Sequence, residues 1–191
     1  MDESAITEIL IVAAWEPELC GHAGLVCGVG PVEAAVATAT ALAADRPRAV
    51  LHLGIAGAHR ASGLEPPQLV LGSVAIYEDL HLTTGLAPRA TNPDERLLLA
   101  AREALPDAVL LPIGTTGRVG GGSECPVEAM EGFAVLRAAE LAGVPAVELR
   151  AVSNLVEDAR GDWQIDEALA ALGQALPGLI ASITAAVSSS P

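Results

Sequence analysis

Short, unbroken runs of apolar residues recur along the chain and constrain its fold more than any other feature of the sequence. Runs of strand length lie at residues 9–14, 25–29, 49–53, 70–76, 109–113 and 145–152. The intervening sequence predicts helices from Pro31 to just before Pro47 and at residues 93–105, 129–142 and 166–187. Strands that do not alternate with polar residues are buried on both faces. The pattern therefore predicts one α/β domain over residues 1–191, with a central sheet flanked by helices.

The composition excludes several classes of function. Apolar residues make up 51% of the chain and aromatic residues only 2%, which predicts a core of Ala, Val, Leu and Ile. The formal net charge of −14 argues against nucleic acid and anionic membranes as main partners. All ten basic residues are arginines. A chain without lysine has neither a Schiff-base nucleophile nor a phosphate-loop lysine.

The cysteines and histidines show no disulfide or metal-binding pattern. Cys20, Cys27 and Cys125 are odd in number and lack CxxC spacing, so we expect free thiols in a cytoplasmic protein. The histidines lack paired spacing, and we expect neither a metal nor a cofactor. The acidic residues before the first apolar run do not resemble a signal peptide. We expect segment 168–187 to be a packed helix, bent or interrupted at Pro177, rather than a membrane span.

The predicted sheet indicates where a ligand would bind. In open α/β sheets, ligands lie at the carboxyl ends of the strands. The segments that follow the predicted strands are therefore candidate site segments, and the helix start at residues 130–131 belongs with them. These segments are residues 14–18, 54–58, 77–81, 115–122 and 153–154.

Two glycine-rich turns each have two interpretations. Residues 28–31 read Gly-Val-Gly-Pro, but the third glycine of a dinucleotide-binding fingerprint is absent and Pro31 disturbs the turn. We interpret this segment as a tight turn from a strand into a helix. Residues 54–58 read Gly-Ile-Ala-Gly-Ala at a strand end. There, either backbone N–H groups approach a ligand closely or the chain simply turns.

Three carboxylates are candidates for a site. Glu18 follows the first predicted strand and is either a ligand-facing group or a solvated loop residue. Glu128 is interpreted as a favourable charge in the first turn of a helix. Glu131 is either a ligand-binding group or a helix-terminal charge. Its same-face neighbours at helical spacing are apolar: Val127, Ala134 and Val135.

Ser153 and Asn154 end the predicted strand at residues 145–152. A buried amide at this position needs hydrogen-bond partners, which either a ligand or an Asx turn supplies. Ser123 does not lie in a GxSxG motif, so the sequence gives no support for a serine hydrolase.

Several of these segments together resemble a known family. The segments ILIVAAWEPEL, GVGPVEAAVATATAL, VLHLGIAGAH, VEAMEG and GVPAVELRAVSNLVEDARGDW occur in this order. They are similar to the nucleosidase branch of the purine nucleoside phosphorylase superfamily over residues 9–168, most weakly over residues 78–122. Within that branch they resemble the futalosine hydrolase family, which releases hypoxanthine from futalosine in the alternative menaquinone pathway. The resemblance implies a mixed central sheet.

The resemblance also implies a role for each matching residue. Glu131 would accept hydrogen bonds from the two ribose hydroxyls, and Met130 would lie against the sugar. Glu18 would activate the water that attacks the anomeric carbon, through an oxocarbenium-like transition state. The other residues that the resemblance assigns to the substrate are Ile55, Ala56, Gly57 and Ser153.

Asn154 stands where the family's adenine-specific nucleosidases carry Asp. Adenine offers an acceptor at N-7 and a donor amino group at position 6, which a protonated carboxyl matches. Hypoxanthine offers acceptors at both places, and the NH₂ group of a carboxamide can donate to both. The resemblance therefore implies a 6-oxopurine substrate that Asn154 recognises during catalysis.

Some features of the family have no clear counterpart in the sequence. Residues 114–122 contain no aromatic side chain to stack on the base, and Phe133 is either that residue or part of the core. On charge alone, Arg60, Arg89 and Arg118 are candidates to bind the aromatic carboxylate at the 5′ side of futalosine.

Other functions remain open at this stage. The chain could be a methylthioadenosine/adenosylhomocysteine or aminodeoxyfutalosine nucleosidase, or a purine nucleoside phosphorylase. A non-catalytic nucleoside-binding protein is the alternative from another class, although binding alone would not require Glu18. Sites of this family lie near subunit interfaces, so we expect a homo-oligomer with a small-molecule nucleoside substrate.

Overall fold

The protein is described by a computed structural model that covers residues 8–81 and 85–188. Eight strands and four helices lie within these residues. The strands are β1 (Ile9–Ala13), β2 (Leu25–Val26), β3 (Ala49–Ala58), β4 (Leu69–Tyr77), β5 (Ala90–Thr91), β6 (Val109–Thr115), β7 (Val127–Ala129) and β8 (Ala146–Leu155). The helices are α1 (Pro31–Ala44), α2 (Glu95–Ala104), α3 (Gly132–Ala142) and α4 (Ile165–Ser188).

The strands form one mixed sheet. β1 pairs in parallel with β2 and β3, and β3 pairs in parallel with β8. β4 and β7 pair in parallel with β6, whereas the pairs β3–β7, β4–β5 and β4–β8 are antiparallel. The predicted α/β class with a mixed sheet is confirmed.

Five of the strands close on one another. β8 lies between β3 and β4, while β6 and β7 connect β4 back to β3. The interior of this ring is filled by small and branched side chains, which include Ala56, Val70, Ile113 and Val152. Both long edges of β8 are paired up to Ala151, and its pairing with β3 continues through Asn154 to the site.

The helices cover both faces of the sheet, and the side chains packed on the two faces differ. One face carries Leu51, Leu53 and Leu149 and packs against α2 and α4. The other face packs against α1 and α3 through a second apolar cluster that includes Val50 and Ala146. The polar residues His52, Glu148 and Arg150 lie at the alternate positions of β3 and β8, so they share this second face.

Helix α4 is the long apolar segment that could be mistaken for a membrane span. Its length and hydropathy satisfy that test, but its buried residues form one stripe that packs on the sheet: Ala168, Leu172, Ala175, Leu176, Leu179, Ile183 and Val187. The helix is continuous through Pro177 rather than interrupted there.

The structure changes several predicted boundaries. β3 does not end at residue 53 but runs on to Ala58, because its pairing with β8 continues past Gly54. β8 extends to Leu155, so Ser153 and Asn154 lie inside it. β2 is shorter than the predicted strand at residues 25–29. The pattern did not predict β5 or β7.

The helix predicted at residues 129–142 begins only at Gly132. Residues Val127–Ala129 instead pair between β3 and β6 as β7. The interpretation of Glu128 as a helix charge is therefore wrong, since it lies in this strand. Glu131 is the residue directly before α3, and Val127 is not its neighbour on a helix face.

Candidate active site

Glu18 lies on a short 3-10 turn, Glu16–Leu19, that follows β1. Its side chain is 3% exposed, so it is not a solvated loop residue. Oε2 accepts from Ala14 N at 3.0 Å and Trp15 N at 3.4 Å, and Oε1 accepts from Ile55 N at 2.8 Å. Three backbone donors thus fix the carboxylate at the ends of β1 and β3. Burial raises the pKa of Glu18, although the Arg150 charge and the backbone donors oppose the shift.

Glu131 approaches the same place from the start of α3. It is 4% exposed, and its Oε1 accepts from Gly30 N at 2.9 Å. Gly30 has φ +97° and ends the glycine turn before α1. The interpretation of residues 28–31 as a tight turn holds. The turn also presents a backbone donor to a site carboxylate.

Arg150 lies beneath these two carboxylates. It is fully buried, and its Nη2 is 3.9 Å from Glu131 Oε2. A Cβ at Gly54 would overlap Arg150 Nη1 and stand 2.9 Å from Glu18 Oε1, so glycine at this position leaves room for both groups. Burial alone would lower the pKa of Arg150, but Glu148, Glu131 and Glu18 together raise it. The arginine therefore stays charged and offsets part of the negative charge above it.

Ser153 and Asn154 present their polar groups at the end of β8. Ser153 Oγ is 2.8 Å from Asn154 Oδ1 and 3.2 Å from Ala56 O, and its one hydrogen serves the closer acceptor. Asn154 Nδ2 donates to Leu155 O at 3.0 Å. The hydroxyl thus fixes the amide so that its NH₂ group has one hydrogen left for another partner. In this orientation Asn154 offers a base one N–H, not the two that the sequence predicted.

These residues line one cleft that encloses about 210 Å³. It contains every residue to which the family resemblance assigned a catalytic or substrate-binding role: Glu18, Ile55, Ala56, Gly57, Met130, Glu131, Ser153 and Asn154. The structure brings them together because the carboxyl ends of β1, β3 and β8 meet the start of α3. Their roles stay predictions. The segment 54–58 was predicted either to bring backbone N–H groups to a ligand or simply to turn, and the N–H of Ile55 donates to Glu18.

Other predicted residues lie elsewhere. Residues 77–81 border a separate polar hollow. Arg60 pairs with Asp158 at 2.9 Å and Arg89 with Glu78 at 2.9 Å, both outside the cleft, whereas Arg118 lines it. Phe133 is 9% exposed and stacks on Tyr77 at 5.3 Å between ring centroids, so it is a core residue.

Several residues of the cleft had no role in the prediction from the sequence. Trp15 and Trp163 supply its aromatic surface, and the buried indole Nε1 of Trp163 has no hydrogen-bond partner. Arg160 also lines the cleft, with its guanidinium carbon 5.3 Å from the centre of the Trp163 ring. Trp15 closely follows β1 and lies in the candidate segment 14–18, so its position was an available signal. Trp163 lies beyond the 3-10 turn Arg160–Asp162 that follows β8, and the strand ends did not point to it.

Glu128 organises the loop that covers one side of the cleft. It is 6% exposed, and its two carboxylate oxygens accept from Gly121 N at 3.1 Å and Gly122 N at 3.0 Å. Positive φ at Gly120 and Gly121 lets the loop turn so that these amides point at β7. Within residues 8–81 and 85–188, no group of three or more acidic, His or Cys side chains is arranged to hold a metal ion.

The sequence matches a known family over most of its length. Residues 23–188 match the phosphorylase superfamily. The chain therefore belongs to the phosphorylase superfamily.

Its relatives narrow this assignment. Futalosine hydrolase from Streptomyces coelicolor is 36% identical over 183 residues, which cover 80% of this chain and 75% of that enzyme. Futalosine hydrolase from Thermus thermophilus is 34% identical over 190 residues, which cover 84% of this chain and 82% of that enzyme. Among solved structures, futalosine hydrolase of Helicobacter pylori superposes with a TM-score of 0.81 at 16% identity, covering 92% and 98% of the two chains. This last match supports the fold.

Proposed function

We propose that the protein hydrolyses the N-glycosidic bond of futalosine, releasing hypoxanthine and dehypoxanthine futalosine for menaquinone biosynthesis. Two relatives at 34–36% identity are futalosine hydrolases. The observation that supports it most directly is the pair of buried carboxylates, Glu18 and Glu131, that face one cleft together with Asn154. Such a pair suits a reaction in which positive charge develops on a sugar.

Glu131 is the proposed ribose ligand. Gly30 N occupies one site on Oε1, and further lone pairs remain for two vicinal hydroxyls. Met130 precedes it in the cleft and offers an apolar surface for the sugar ring. The position of Glu131 before α3 places its charge at a helix N-terminus, where the helix dipole favours an anion.

Glu18 is the proposed general base. Its carboxylate is fixed by three backbone N–H groups, so it is positioned for a water without moving. Burial raises the pKa of Glu18, and a stronger base takes a proton from water more readily. As the glycosidic bond breaks, both carboxylates stabilise the oxocarbenium-like sugar electrostatically.

The two ends of the substrate have different proposed contacts. Asn154 donates its remaining N–H to an acceptor of the 6-oxopurine, and Ser153 keeps the amide in this orientation. Arg118 and Arg160 are the arginines of the cleft lining, and we assign to them the carboxylate at the other end of futalosine. Trp163, which packs against Arg160, offers a surface for the aromatic ring of futalosine.

A substrate panel tests the proposal. The purified protein is incubated with futalosine, inosine and methylthioadenosine, each with and without phosphate, and the released base is identified by chromatography. We expect hypoxanthine from futalosine, independent of phosphate, and much slower release from the other two. A phosphate requirement would indicate a phosphorylase, adenine release a different nucleosidase, and no release at all would contradict the enzyme assignment.

The same proposal includes a homo-oligomer in the cytoplasm. Val32, Val36 and Leu141 of the neighbouring helices α1 and α3 are 71%, 62% and 72% exposed, which is unusual for three large apolar side chains on one face. Val32, Val36 and Leu141 line one hollow between α1 and α3, and Val29, which borders the cleft just before α1, is 60% exposed. The odd number of cysteines without CxxC spacing favours a reducing compartment such as the cytoplasm.

A further inference from the structure

A polar network lies one layer below the cleft, inside the otherwise apolar face of the sheet. His52 on β3 is the register partner of Glu148 on β8, and Gly54 is the partner of Arg150. The three side chains are at most 1% exposed. None of them lines the cleft. Burying three such groups costs free energy unless they pair with one another.

Glu148 and His52 hold the guanidinium of Arg150 from two sides. Arg150 Nε donates to Glu148 Oε1 at 2.8 Å, and Arg150 Nη2 contacts His52 Nε2. His52 Nδ1 lies 3.0 Å from the Val12 carbonyl, which accepts its proton. Nε2 is then the free acceptor that Arg150 requires. Burial and the Arg150 charge lower the pKa of His52 well below its ordinary value, so the ring is neutral.

Two glycines leave space for the Glu148 carboxylate. A Cβ at Gly132 would stand 2.6 Å from Glu148 Oε2, and one at Gly72 would stand 3.4 Å from the same atom. Gly132 is the first residue of α3 and follows Glu131 directly. Glu148 thus packs against the backbone that carries Glu131, while it holds the arginine that faces both cleft carboxylates.

One of the two charged side chains that act on Glu18 belongs to this network. The ionised groups that act on Glu18 are Arg150 of β8 and Glu131 before α3, and the thiols of Cys20 and Cys27 also feel its charge. Around Arg150 stand Glu148, Glu131 and Glu18, with neutral His52. A change at Glu148 therefore reaches Glu18 through the position and effective charge of Arg150.

We propose that Glu148 and His52 are positioning residues, which hold Arg150 beneath Glu18 and Glu131 and so set the pH at which Glu18 ionises. For the part Glu18 plays in turnover, this inference rests on the proposed function. The position of the arginine and the titration of Glu18 do not depend on which nucleoside is cleaved.

The first test is the titration of Glu18 in the full-length protein, measured by ¹³C NMR of labelled glutamate carboxyls and assigned with Glu18→Gln. Glu148→Gln keeps the size of the side chain and an acceptor for Arg150 Nε but removes the carboxylate. Burial raises the pKa of Glu148, while its ion pair with Arg150 opposes the shift and favours the ionised form. In the variant, the positive charge of Arg150 is less neutralised by its neighbour and stabilises the ionised form of Glu18 more strongly. We therefore expect the Glu18 titration to move to lower pH by roughly half a unit or more. Glu78→Gln is the matched control. It removes a buried carboxylate that pairs with Arg89 elsewhere, and we expect no shift.

The second variant changes no charge. His52→Phe removes the acceptor for Arg150 Nη2. We expect kcat to fall roughly 10- to 100-fold, the usual effect of a small displacement of catalytic groups, while KM stays within about twofold of the wild-type value. The inference would be overturned if Glu18 titrated at the wild-type pH in folded Glu148→Gln. It would also be overturned if His52→Phe kept the wild-type kcat. If wild type cleaves no futalosine, the proposed function fails, but the NMR shift still decides the role of Glu148.

Discussion

Glu18 carries the chemical step in the proposed reaction. Glu18→Gln keeps the size of the side chain but removes the base, and its amide can no longer accept from all three backbone donors. We expect kcat to fall by about 10²–10⁴-fold, the usual contribution of a general base, with much of the substrate affinity kept. Stopped assays of base release measure kcat, and thermal melts check the fold. Wild-type turnover in a folded variant would remove Glu18 from the mechanism.

The burial of Glu18 also predicts a pH dependence. Burial raises its pKa above the ordinary range of glutamate, against the opposing effect of Arg150. The ionised form is the active base, so activity is present above the pKa of Glu18 and is lost as the pH falls through it. We therefore expect the acidic limb of kcat/KM to lie at higher pH than for an ordinary carboxyl group. A pH series in wild type measures it, and a limb at or below the ordinary range would contradict this assignment.

Asn154 is the residue that we expect to select the base. In Asn154→Asp an ionised carboxylate would repel an acceptor on the 6-oxopurine, and it would also face the Leu155 carbonyl that Nδ2 now contacts. Sites that depend on hydrogen bonds reject a wrong partner by up to ~10⁴–10⁵-fold. We predict a large loss on futalosine and a smaller loss, or a slight gain, on the 6-amino analogue. The measurement is the ratio of kcat/KM for the two substrates, because a lower fraction of folded protein reduces both values equally and leaves their ratio unchanged. A fixed ratio would mean that Asn154 does not read the base.

At the scale of the elements, the sequence predicted the long strands and helices and failed at short pieces. β5 and β7 have two and three residues, too few for a hydrophobic period, and they form only because neighbouring strands pair with them. The motifs located the cleft residues because strand ends converge. The motifs did not predict the buried polar network beneath the cleft, although Glu148 and Arg150 stand two residues apart in an apolar strand. That spacing puts both on one buried face, where each requires a partner.

The close contact between β3 and β8 makes a prediction of its own. A Cβ in Gly54→Ala would overlap Arg150 Nη1, and Arg150 is confined by Glu148 and His52. We expect a loss of about 1–3 kcal/mol in the free energy of unfolding, as for other overpacked sites, together with reduced turnover. Gly178→Ala is the control, since its Cβ meets open space on α4 and should stabilise the helix by roughly 0.5–1 kcal/mol. Denaturant titration compares the two. Equal stability in both variants would show that Arg150 can move aside.

At the scale of the whole molecule, the apolar face of α1 and α3 predicts association. Val36→Glu should shift the protein to monomer, because it places a charge in the proposed interface. Leu99→Glu, on α2 and 60% exposed, should leave the assembly unchanged. With a net charge of −14, the copies repel one another at long range, so added salt should strengthen association. Light scattering after size-exclusion chromatography measures the mass. A wild-type monomer at every salt concentration would contradict this proposal.

The position of β8 between β3 and β4 also has a consequence during translation. β8 is the last strand of the sheet to leave the ribosome, and it follows both of its partners in sequence. A nascent chain that ends before residue 146 therefore presents two long apolar strands with unpaired backbone groups, which are templates for other chains. The same strand brings Arg150, Ser153 and Asn154. Protection from misassembly and completion of the cleft thus arrive together, with the synthesis of β8.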